Sequence, residues 1–103
     1  MTKEEIYEFF QKSLILIENA ELLLKHIPSR HIPAFHKILG IQQKFERLTQ
    51  DDQRCFFSQI IAIRGTIAYF LNGRYEEGIK NLEKLKKEFI IIALDSSENN
   101  KNK

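Results

Sequence analysis

The 103-residue chain has one cysteine, two prolines, four glycines and no tryptophan. A single cysteine excludes an internal disulfide framework and the usual cysteine-based zinc sites. Glycine and proline are scarce, while 43% of residues are hydrophobic and 29% charged, which excludes collagen-like, low-complexity and disordered chains. Neither sign of charge dominates. The formal net charge of +2 singles out neither nucleic acid nor a membrane surface as a partner. Long apolar runs are missing too. Residues 60–71 come nearest, but Arg64 interrupts them, and they fall short of the roughly 20 apolar residues of a membrane-spanning helix. No leader-like apolar run follows Met1-Thr2-Lys3-Glu4-Glu5, so the expectation is a cytoplasmic protein with Cys55 reduced. Glycine-rich phosphate loops, GxSxG, HExxH and EF-hand loops are all absent. No catalytic constellation, cofactor or metal is expected.

What is present is helical periodicity. Thr2 and Glu5 form a capping-box pattern ahead of Ile6, Phe9, Phe10, Leu14, Ile17, Ala20 and Leu24, which share one face of a first helix running to about residue 26. Pro28 ends it, and Pro33 suits the first turn of a second helix carrying Phe35, Ile38, Leu39, Phe45 and Leu48. Thr49 with Asp51 and Asp52 signals the start of a third helix that continues to Asn72, and Gly73 follows as its C-terminal stop. A fourth helix starts near Tyr75. Its β-branched run Ile90-Ile91-Ile92 stays helical, because a lone strand would have no partner. The short connectors make neighbouring helices antiparallel. The expectation is an all-α bundle of four helices over residues 1–94. Residues 95–103 contain no apolar side chain and are expected to be a disordered tail.

On a wheel of about 100° per residue, Phe57, Ile60, Arg64, Ile67 and Leu71 gather on one broad side of the third helix. Ala62, Gly65 and Thr66 fall on the other, where small residues allow close helix approach. Arg64 on an apolar side has two readings. Its stem packs while its guanidinium reaches water or a carboxylate, or it binds an anion or partner in a groove. Cys55 is expected to pack as a small side chain. On the first helix, Ile15 and Leu22 lie opposite the core face and Leu23 widens the patch. They are either scattered surface residues or a seam for a homodimer or another protein.

Residues 62–89 resemble one tetratricopeptide unit. Tyr69, Gly73, Tyr75, Gly78, Leu82 and Leu85 carry the spacing of tyrosine, turn glycine, aromatic, small residue and two core positions. Thr66 stands where that family has a small glycine or alanine, no proline closes the unit, and residues 1–50 show no second copy. The resemblance implies a protein- or peptide-binding module.

All three histidines lie in residues 25–37, beside Arg30 and Lys37. Arg30 and His36 resemble the Arg-x(4–6)-His motif of the higher-eukaryote-and-prokaryote nucleotide-binding helical domains. That resemblance implies a metal-independent ribonuclease, with Arg30 stabilising developing phosphate charge and His36 moving protons. The plainer reading is a solvated basic turn in which Arg30, His36 and Lys37 meet an acidic partner. The residues from 28 to 75 carry seven basic and three acidic side chains, with the acids interspersed, so nucleic acid is not the expected partner. In size, mild basicity and architecture the chain is also similar to bacteriocin immunity proteins of the enterocin A group. The leading expectation is a small non-enzymatic regulator, inhibitor or accessory subunit that binds another protein.

Overall fold

The computed structural model describes residues 1–26 and 31–101, with side chains as far as Ser96. It is all-helical: α1 (Lys3–His26), α2 (His31–Glu46), α3 (Gln50–Cys55), α4 (Phe57–Leu71) and α5 (Tyr75–Lys101). The capping box forms as the sequence implies. Thr2 Oγ1 accepts from Glu5 N–H at 3.1 Å, and Glu5 Oε1 accepts from Thr2 N–H at 3.5 Å. Pro28 and Arg30 lie outside the described residues. Pro33 occupies the third position of α2, still within the first turn, where no intrahelical partner awaits an N–H.

The expected third helix is two helices. Thr49 Oγ1 caps α3 by accepting from Asp52 N–H at 3.2 Å. The helix then breaks at Phe56, whose φ of −113° and ψ of 27° leave the α region. The break has a packing reason. It sends the Phe56 ring into the core, 5.2 Å from Phe10 and 6.3 Å from Phe45 between centroids. A straight helix would carry that ring elsewhere.

Four long helices make the bundle. α1 packs against α5 and α2, and α4 packs against the same two, so α1 and α4 stand at diagonal corners. The core is aromatic at its middle: Phe10, Phe45, Phe56 and Phe89 are buried together, with Ile17, Ile38, Ile41, Ile63, Leu82 and Leu85 around them. α4 meets α5 through small residues. Asn81 Nδ2 donates to Thr66 Oγ1 at 2.6 Å and to the Ala62 carbonyl at 3.0 Å, while Thr66 Oγ1 donates to that carbonyl at 2.9 Å.

α4 and α5 are joined by a tight turn at Gly73, whose φ of 73° is costly for any side chain. Gly73 N–H reaches the Phe70 carbonyl at 3.2 Å and Arg74 N–H reaches Tyr69 at 2.9 Å. This is the paired closure of a Schellman ending. Gly78 then lies under Phe70. A Cβ there would sit 2.9 Å from Phe70 Cε2 and 3.1 Å from Cδ2. Gly78→Ala is expected to lower stability. Alanine gains about 1 kcal/mol of helix propensity, but displacing a buried ring costs about 1–3 kcal/mol. A urea midpoint above wild type would show that the ring yields freely.

The C-terminal expectation is corrected. α5 does not stop near residue 94 but continues to Lys101, so residues 95–101 are helical where a disordered tail was expected. Ser96 is buried one turn beyond Ala93. The buried stripe of α5 therefore runs further than apolar content indicates, because a serine fits where space is small.

Candidate functional site

The exposed surface of α4 is the feature that stands out. Phe57, Ile61, Arg64, Ala68 and Leu71 are all exposed and follow one another at alternating steps of four and three residues. That spacing keeps a single line along a helix, the seam geometry of a coiled coil. Phe57 is 62%, Ile61 49% and Leu71 71% accessible. The seam is an apolar line with a cation at its centre.

This corrects the wheel. The broad side expected for Phe57, Ile60, Arg64, Ile67 and Leu71 splits: Ile67 is buried and Ile60 half-buried, while Phe57, Arg64 and Leu71 face water. The buried side is Ile63, Thr66, Ile67 and Phe70. α4 is apolar nearly all round, so hydrophobicity alone could not orient it. The Thr66–Asn81 hydrogen bond helps to do so, and it turns Arg64 outward.

α2 runs antiparallel beside this seam, and hollows open along it. One, of about 350 Å³, is lined by Gln50, Gln53, Arg54, Phe57, Ile60 and Arg64. Another, of about 320 Å³, lies at the opposite end among Ile32, Phe35, His36, Phe70, Leu71 and Tyr75. There the His31 and Tyr75 rings stack at 4.0 Å with 5° between planes, tying the start of α2 to the start of α5. Between the hollows Arg64 shares a small recess with Glu46 and Gln42. Among the described residues Arg64 makes no ion pair, and Arg54 has only a 3.9 Å contact with Asp51.

The residues singled out from sequence scatter. Arg64 is the middle of the seam, and the exposed His36 borders its far hollow. Arg30 lies outside the described residues, so its geometry with His36 is not part of this site. Lys37 is half-buried and lines a separate hollow with Leu22, Leu23 and His26. Ile15 and Leu22 are 56% and 55% accessible on the outer face of α1, while Leu23 packs against the core. Cys55 is exposed, not packed as expected, because the break at Phe56 turns the end of α3 outward. Sequence reasoning missed Ile61 and Ala68 as seam members. The signal was present as the four-three spacing through Arg64, but an adjoining line of larger side chains masked it.

No group of three or more His, Cys, Asp or Glu side chains suited to a metal occurs among the described residues. No described helix is long and apolar enough to cross a membrane. No protein-family model, curated protein or solved structure matches the chain.

Proposed function

We propose that the chain is a non-enzymatic helical module that works by binding a protein surface along the α4 seam, in the manner of a regulator, inhibitor or accessory subunit. The observation that supports this is the unbroken exposed line Phe57–Ile61–Arg64–Ala68–Leu71. Isolated surface apolar residues are ordinary, but Phe57, Ile61 and Leu71 exposed on one line, on either side of Arg64 and with adjoining hollows, favour a partner that removes them from water. An amphipathic helix is the natural complement, since its own four-three spacing meshes with the seam.

The test is site-specific photocrosslinking in the source cells. A benzoylphenylalanine at Ile61 or Leu71 should yield a discrete protein adduct, and one at exposed Lys84 on α5 should not. Equal adducts at all three positions, or none at Ile61 and Leu71, would remove the seam as a binding surface.

A further inference from the structure

We infer that the occupant of the α4 seam is helix α1 of a second copy of this chain, with Glu18 of one copy set against Arg64 of the next. The inference rests on the protein-binding reading above and names its partner.

The outer face of α1 repeats the pattern of α4. Gln11, Ile15, Glu18 and Leu22 step by four, three and four residues, as Phe57, Ile61, Arg64 and Ala68 do. Ile15 and Leu22 are as exposed as the apolar members of the α4 seam. Glu18 is the charge at the middle of the α1 stripe and Arg64 the charge at the middle of the α4 stripe; the α1 spacing also reaches Glu8 at one end and Lys25 at the other, where Lys25 meets the end of the seam at Leu71. In the parallel register that sets Glu18 on Arg64, Ile15 falls on Ile61 and Leu22 on Ala68. The same register brings Glu8 towards Arg54, which shares the hollow beside Phe57. Glu8 and Glu18 make no ion pair within their own chain among the described residues, and Lys86, the cation near Glu18, is bonded to Glu21.

Symmetric pairings do worse. α4 against α4, centred on the seam, sets guanidinium against guanidinium, and α1 against α1 either sets Glu18 against Glu18 or, in the antiparallel register that pairs Glu8 with Lys25, sets Glu18 on Ile15 and leaves Arg64 without a partner. Only α1 against α4 neutralises both, and like charges at a contact select strongly against the wrong partner.

Because α1 and α4 occupy diagonal corners of the bundle, the contact is head-to-tail and leaves a free α1 and a free α4 at the ends. Such an interface builds rings or open chains rather than a closed pair. It is also small. α4 is only about 22 Å long, so each contact buries less than the roughly 800 Å² per partner of a durable complex. The assembly is therefore weak and grows with concentration.

Light scattering across the micromolar to millimolar range tests this, with circular dichroism confirming that each variant is folded. The wild-type mass should rise from 12.2 kDa past that of two copies. Arg64→Glu and Glu18→Arg should each weaken association by about tenfold or more. An equimolar mixture of the two variants should restore growth, as should both changes in one chain. A wild type that stays at one copy overturns the inference, as does a dimer that stops at two copies or a charge exchange that fails to restore association. If the wild type stays monomeric while crosslinks at Ile61 capture a different protein, the self-assembly fails but the binding-module reading stands.

Discussion

Phe10→Ala is expected to lower the unfolding free energy by about 3–5 kcal/mol, the cost of removing a large buried aromatic and leaving a cavity. Phe10 has no accessible surface. Its ring meets Phe89 edge-to-face at 4.8 Å, Phe56 at 5.2 Å and Phe9 at 5.3 Å, with Phe45 at 6.3 Å. It is the ring through which α1 touches both α5 and the break between α3 and α4. Domains of this size are stable by about 5–15 kcal/mol, so this one change removes roughly a fifth of the total at the least, and most of it if the domain is marginal. Urea unfolding should show a lowered midpoint at unchanged slope. Leu22→Ala, on the exposed face of the same helix, should move stability by no more than about 0.5 kcal/mol. Similar losses for the two variants would mean that the aromatic cluster is not the centre of the core.

The second large effect lies at the only described long-range ion pair between side chains. Lys86 Nζ donates to Glu21 Oε2 at 3.0 Å across the α1–α5 interface, with the Glu21 side chain 9% accessible and the lysine 31%. Glu21 Oε1 is buried without a protein partner among the described residues. Lys86→Met strands this carboxylate and should cost about 1–3 kcal/mol, the penalty of a buried polar group deprived of its partner. Adding Glu21→Leu should bring stability back to wild type or above, because an apolar pair there avoids desolvating either charge. A double-mutant cycle by urea denaturation checks this. If the losses merely add, the pair is not coupled.

The pH dependence follows from the same bond. The hydrogen bond to Glu21 raises the pKa of Lys86 above 10.5, so the folded state holds the proton more tightly than the unfolded chain. Its contribution is fully present below 10.5 and is lost as pH rises through the folded value. In Lys86→Met this alkaline loss should be absent, which pH-dependent urea unfolding of the two proteins checks.

Much of the local structure was legible residue by residue. The capping box at Thr2 and Glu5, the Thr49 cap and the left-handed Gly73 are short-range chemistry, decided within a few residues of themselves. The core face of α1 was legible because charged residues occupy its other side. Where that contrast failed, so did the reading. α4 is apolar on nearly every side, so its orientation rests on packing with distant segments, including a bond from a partner fifteen residues away, Asn81 to Thr66.

Sequence by itself determined the helical class, the caps and turns, and the core positions of Phe10 and Phe45, because these follow from periodicity, backbone conformation and hydrophobic burial. Tertiary packing alone decided the break at Phe56, the outward turn of Arg64, the extension of α5 and the diagonal placement of α1 and α4. These depend on how rings and small residues from distant segments share one interior. That competition for space cannot be read from any one helix, and it leaves Glu18 and Arg64 exposed on opposite corners of the bundle.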